Sequence, residues 1–180
     1  MKHASFGLLV LTATVLIAPA GYAEESIEVD LHKATSEGQG EAIGSITLKE
    51  HRFGVLIKPS LKGLSPGLHG FHLHENPDCG PKEKEGKVTP AAAAGGHYDP
   101  DDHGQHQGPY DPEGHLGDLP ALFADEKGKV SQTYLAPRLH LNQLTERALV
   151  IHAGGDNYSD DPKALGGGGA RVACGVIKAE

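Results

Sequence analysis

The chain has 180 residues, of which 38% are apolar, 22% charged and 5% aromatic, with a formal net charge of -8. That balance suits one compact domain and excludes a disordered tail and a nucleic-acid partner. The unusual counts are 12 histidines, 25 glycines and a sulfur inventory of 2 Cys and 1 Met; so many imidazoles in an acidic chain point to metal chemistry.

Residues 1–23 read MKHASFGLLVLTATVLIAPAGYA: a basic start at Lys2, an apolar run from Phe6 to Ile17, then small residues ahead of Glu24. This predicts a secretory signal peptide cleaved after Ala23, with Ala18-Pro19-Ala20 as the other small-x-small site. The exported domain is then 24–180, and losing Lys2 takes the formal charge from -8 to -9. No later stretch is apolar enough to span a membrane, so none is expected as a partner after cleavage. An oxidising compartment predicts a Cys79–Cys174 disulfide, with two separate buried thiols as the alternative. Without Met, and with both Cys paired, a sulfur-ligated copper centre is excluded; any metal site must use His, Asp and Glu.

Beyond the signal, apolar residues recur with period two: Ile27, Val29 and Leu31; Ile46 and Leu48; Phe53, Val55 and Ile57; then runs at Val130 to Leu135, Ala148 to His152 and Arg171 to Lys178. Only Leu139 to Leu149 could hold a helical turn. The expected class is all-β, a sandwich or flattened barrel. Two segments rich in Gly, Pro, Asp and His, from Asn76 to about Pro120 and from Ala153 to Ala170, are read as long functional loops.

In Gly70-Phe71-His72-Leu73-His74, strand alternation sends Phe71 and Leu73 to the core and His72 and His74 together to the other face, as half a metal site or as two exposed histidines. Within the first loop, His97, His106 and His115 are spaced by nine and Asp118 follows three later. Three imidazoles and a carboxylate make a closed tetrahedral zinc set; a loose His-rich tract is the alternative. His152 ends the strand ALVIH, Asp156 follows it, and Arg171 lies three residues before Cys174. A buried Arg there would face a cavity where an anion arrives, and a surface Arg would sit in a simple salt bridge.

The motifs GFHLHENPDC, GGHYDP, GHLGDLPAL, LVIHAGGDNYSD and GGGGARVACGVI resemble, in order and from about Ile27 to Lys178, the copper-zinc superoxide dismutases of the bacterial periplasm. The resemblance implies a Greek-key flattened eight-stranded barrel, periplasmic localisation, and one copper and one zinc ion per subunit. It implies copper held by His72, His74, His97 and His152, and zinc by His97, His106, His115 and Asp118. Asp156 would link a copper histidine to a zinc histidine. Arg171 would guide the superoxide anion, His97 would also move a proton, and Cys79 would pair with Cys174.

His69 matches a structural position in the family; His32, His51 and His140 are expected as exposed side chains. His103, three residues before His106, could compete for zinc; the resemblance implies His106, which precedes the Gly-Pro that the family shows after its ligand. Lys82, Lys84, Lys87 and Lys163 are candidates for steering the anion. Both monomers and homodimers fit the resemblance. An exported copper and zinc storage protein is the rival reading; it would not need Asp156 and Arg171 together.

Overall fold

The structure is a computed structural model that describes Met1, residues 25–84 and residues 86–178. Met1 apart, the expected signal segment lies outside the described residues.

Alternation builds the first strands. In β1 (Ser26–Thr35) Val29 and Leu31 are buried between exposed Glu28 and Asp30. In β2 (Gly38–His51) Ile46 and Leu48 are buried, and so is Ile43, which breaks the period. A register shift against β1 near His32, beside Gly44 at φ 128°, returns Ile43 to the core side. A side chain at Gly44 would collide with the Ser60 carbonyl. β3 (Gly54–Leu61) buries Val55, Ile57, Pro59 and Leu61. Phe53, expected in this strand, lies instead in the turn before it, 57% exposed with the Arg52 guanidinium over its ring.

β4 (Gly67–His69) and β5 (Phe71–His74) follow, then a hairpin of β6 (Lys82–Lys84) and β7 (Lys87–Thr89), β8 (Leu122–Ala124), β9 (Tyr134–Ala136), β10 (Arg147–His152) and β11 (Arg171–Ile177). The described residues thus form eleven strands where eight were expected. The run from Val130 to Leu135 is not one strand: Val130 alone bridges Leu61, residues 131–133 are exposed, and pairing resumes at Tyr134. Within the Leu139 to Leu149 stretch the helix is a single 3-10 turn, Leu141–Gln143, and the last three residues already belong to β10.

One curled antiparallel sheet runs β5-β10-β11-β1-β2-β3-β9, with β4 and β8 as a separate pair. The main core lies inside this curl, around Val29, Leu31, Ile46, Ile57, Phe71, Leu73, Leu149 and Ile151. A smaller cluster of Cys79, Ala91, Ala94, Ala148, Val150 and Cys174 covers the other face of β10 and β11. That second face carries the histidines, because residues directly opposite on paired strands share a face: His72 opposes Val150, His74 opposes Ala148, and Val150 opposes Cys174.

The sheet ends at β5, and its open edge would expose backbone groups. Loop residues close it. Leu73 donates to the Gly117 carbonyl at 2.9 Å and accepts from Tyr98 at 2.8 Å, and Gly117 donates to Tyr98 at 2.8 Å. Gly117 is required here, since a side chain would strike the Leu73 carbonyl. The expected ligand loop is thereby stitched to the strand that carries His72 and His74.

Candidate metal centre

His72 and His74 are fully buried at 0% exposure, so they are not two surface histidines. Phe71 and Leu73 fill the core on one side as alternation requires, and the long loops cover the other. His152 joins them from the end of β10, where its N–H donates to the Gly70 carbonyl at 2.8 Å.

Each histidine of this group spends one ring nitrogen on a fixed partner. His72 Nε2 meets Asp156 Oδ2 at 2.8 Å, and His74 Nδ1 meets the Gly95 carbonyl at 3.0 Å. His152 Nδ1 meets the Gly169 carbonyl at 3.2 Å, and His97 Nδ1 meets Asp118 Oδ1 at 2.9 Å. The remaining nitrogens, His72 Nδ1 and the Nε2 atoms of His74, His97 and His152, are buried without a hydrogen-bond partner. The four residues can offer ligand atoms all within 4.8 Å of one another. Four orphaned acceptors aimed at one point are costly without a ligand and fit a metal ion that takes imidazole nitrogen. Burial drives His72 and His74 well below the ordinary histidine pKa, lowers His97, and brings His152 to about 4, so the rings are neutral and ready to ligate.

A second group centres on Asp118, which is 2% exposed. Its Oδ1 lies 2.9 Å from His97 Nδ1, 2.9 Å from His106 Nδ1 and 3.3 Å from His115 Nδ1. His106 Nδ1 is close but misaligned for a hydrogen bond. One carboxylate oxygen cannot accept three such bonds well, whereas the edges of a tetrahedron with zinc-like ligand distances are about 3.3 Å. Mutual proximity alone groups His72 with His97, His106 and Asp118, leaving out His115. The nitrogens favour His115: His72 Nε2 is held by Asp156 and its ring stacks on His97 at 3.9 Å, while His115 Nδ1 faces the shared oxygen.

Asp156 connects the two groups, because its Oδ1 lies 2.7 Å from His106 Nε2 while Oδ2 holds His72. Gly166, at φ 67°, passes so close that a side chain would collide with Asp156 Oδ1 and crowd His106. Burial alone would lower His106, but the neighbouring carboxylates of Asp118 and Asp156 outweigh it and raise the metal-free pKa to about 9.

Arg171 donates to the carbonyls of Ala91 and Gly95, both at 2.6 Å. Gly95 also holds His74, so Arg171 stands beside the first group, and among the described residues it has no ion pair. The disulfide Cys79–Cys174 is formed, with Cα atoms 5.7 Å apart, and fastens the loop whose carbonyls hold Arg171.

The other histidines stay outside. His69 bonds the His152 and Ser65 carbonyls at 2.7 and 2.8 Å, which ties loop to strand. His103 is half-buried against the Gly114 carbonyl at 3.4 Å and joins neither group. His140 is exposed as expected, but His32 and His51 are partly covered, His32 bonding the Gly40 carbonyl and His51 accepting from the Phe53 N–H. Lys82, Lys87 and Lys163 are exposed. Sequence reasoning missed Arg138, which donates to four carbonyls of the ligand loop, and Asp160, which accepts from the His106 and Leu165 backbone at 2.8 Å each. Both act on backbone groups, which leave no motif.

Comparison with known proteins agrees with this geometry. Residues 42–177 match the model of the copper/zinc superoxide dismutase family. "Superoxide dismutase [Cu-Zn] 1" of Salmonella typhimurium is 52% identical over 174 residues, covering 96% of this chain and 98% of that protein. The structure of the Cu/Zn superoxide dismutase from Brucella abortus superposes with a TM-score of 0.84 at 52% identity, over 86% of this chain and 100% of its own. The solution structure of the monomeric copper, zinc superoxide dismutase from Salmonella enterica gives 0.77 at 48% identity, over 86% and 100%.

Proposed function

We infer the roles of the individual residues from one premise: this chain belongs to the copper/zinc superoxide dismutase family. Its function is the conversion of superoxide to dioxygen and hydrogen peroxide, with copper and zinc as cofactors. The first histidine group, His72, His74, His97 and His152, would hold copper, and His97, His106, His115 and Asp118 would hold zinc. The observation that carries this assignment is the set of inward-facing ring nitrogens, buried and unpartnered. His97 belongs to both groups, with Nε2 towards the first and Nδ1 towards Asp118.

Copper, when bound, supplies one-electron redox chemistry, accepting an electron from one superoxide and giving it to another, while zinc supplies charge and shape. The protein residues do the rest. His97 holds a proton at Nε2 in one half of the cycle and passes it to the second superoxide as peroxide forms, solvent providing the other proton. Were His97 to hold both ions, loss of both its ring protons would become feasible near neutral pH. Asp156 keeps the rings of His72 and His106 oriented. Arg171, fixed by the Ala91 and Gly95 carbonyls, draws the anion to the site against the chain's overall negative charge. Storage without turnover would leave an arginine so placed without a role.

We further propose that 1–23 is removed on export and that 24–180 works in the periplasm, which suits the oxidised Cys79–Cys174 pair. The single chain suffices as catalytic unit, because every assigned residue comes from one copy. Superoxide decay, followed after pulse generation with the copper- and zinc-loaded protein, tests the assignment. Activity should be lost in His72→Ala; an unchanged rate in that variant would refute the copper set.

A further inference from the structure

The stretch from Asp99 to Asp118 supplies His106, His115 and Asp118 yet has almost no regular backbone pairing of its own. Arg138, between β9 and the 3-10 turn, reaches into it. Its Nε donates to the Pro109 carbonyl at 3.2 Å, one terminal nitrogen to Gly114 at 3.0 Å, and the other to Gly108 at 3.2 Å and to His115. Gly108, Pro109, Gly114 and His115 are buried, and the Gly108 and Pro109 carbonyls have no backbone donor among the described bonds. Among the described ion pairs Arg138 has no carboxylate partner. Its donors are therefore committed to the loop.

The same peptide groups lead to Asp118. Gly108 gives its N–H to Asp118 Oδ2 at 3.3 Å and its carbonyl to Arg138. His115 turns its ring to Asp118 Oδ1 and its carbonyl to Arg138. One planar guanidinium thus gathers the segment just after His106 and the segment at His115, which the His115 N–H ties to the Gln105 carbonyl, just before His106, at 3.0 Å. We propose that Arg138 is a positioning residue for zinc: it draws these two segments together and sets the spacing of His106, His115 and Asp118 before the ion binds. This rests on the zinc assignment made above. A lysine could not replace it, having three donors around a point charge in place of a rigid fork.

The test compares Arg138→Lys and Arg138→Met with the parent, using His115→Ala as reference. Zinc affinity is measured by chelator competition on the folded, copper-free protein, and thermal midpoints are recorded with and without zinc. Both Arg138 variants should bind zinc at least tenfold more weakly, Arg138→Met the more so. Their metal-free midpoints should stay near the parent's while the zinc-loaded midpoints fall, because weaker binding to the native state removes linked stabilisation. Should Arg138→Met fail to fold, Arg138→Lys carries the comparison. Equal losses of both midpoints with zinc affinity within twofold of the parent would overturn the inference and leave Arg138 purely structural. Parental zinc affinity in His115→Ala would instead overturn the ligand assignment and the inference with it.

Discussion

His97 and Asp118 stand with Nδ1 2.9 Å from Oδ1, and the same ring turns its buried Nε2 away from Asp118 towards the free nitrogens of His72, His74 and His152. One imidazole is thereby the common wall of two ligand groups. Its position follows from the loop that pairs with β5: His97 bridges His74, and Tyr98 donates to the Leu73 carbonyl.

Asp156 holds His72 Nε2 and His106 Nε2, leaving the Nδ1 atom of each ring free of a hydrogen bond. Replacing it with Asn leaves one oxygen for two imidazoles. Asp156→Asn should weaken metal binding by about 10–100-fold, as loss of such supporting bonds does elsewhere. Competition with a chelator, run separately for copper and zinc, checks this; parental affinity for both ions would show that the two bonds do not matter.

Arg171 has no ion pair among the described residues and points its donors at two carbonyls near His74. Arg171→Ala should lower kcat/KM for superoxide by about tenfold, the scale of one charge-assisted interaction, and flatten its dependence on salt. Lys82→Gln, on the exposed β6 hairpin, should change the rate less than about twofold. Rate measurements over a range of ionic strength separate the two residues.

The disulfide closes a sequence separation of 95 residues and pins the loop that carries the Ala91 and Gly95 carbonyls. In the chain-entropy model its loss costs roughly 4–5 kcal/mol. Cys79→Ser should therefore lower the thermal midpoint and, through the released carbonyls, the activity of the still-folded protein below the transition. Full activity with a lowered midpoint would uncouple Arg171 from the disulfide.

Without metals the two ligand groups respond to pH in opposite senses. The His106 pKa is raised from 6.5 to about 9, so its contribution to stability is complete below 6.5 and is lost as pH rises through 9. The His152 pKa is lowered from 6.5 to about 4, so its contribution is complete above 6.5 and is lost as pH falls through 4. Burial lowers His72, His74 and His97 in the same direction as His152. The metal-free protein should be most stable near pH 6.5, and zinc should suppress the alkaline loss by replacing the proton of His106. Thermal midpoints of both forms across pH check this; a metal-free midpoint that climbs from pH 6.5 to 9 would contradict it.

Much of this site is legible in the sequence where side chains follow a period or a spacing. Strand alternation places His72 and His74 opposite Phe71 and Leu73, and the nine-residue spacing picks out His97, His106 and His115. What backbone geometry decides is not legible. Ile43 returns to the core only through the irregularity at Gly44, Phe53 leaves its strand at a turn, and the Val130 run breaks after a single bridge. Asp156 is marked by family resemblance alone, since nothing local announces that its two oxygens meet histidines 84 and 50 residues away. Arg138 leaves no mark, because a guanidinium that binds carbonyls has partners of any residue type.

The sharing of His97 is tested most directly by the Cu(II) electron paramagnetic resonance spectrum, recorded for the fully loaded protein and again after selective removal of zinc. If His97 joins both ions, freeing its Nδ1 alters the copper ligand field and the spectrum changes. Superimposable spectra would mean that the two metals do not share His97.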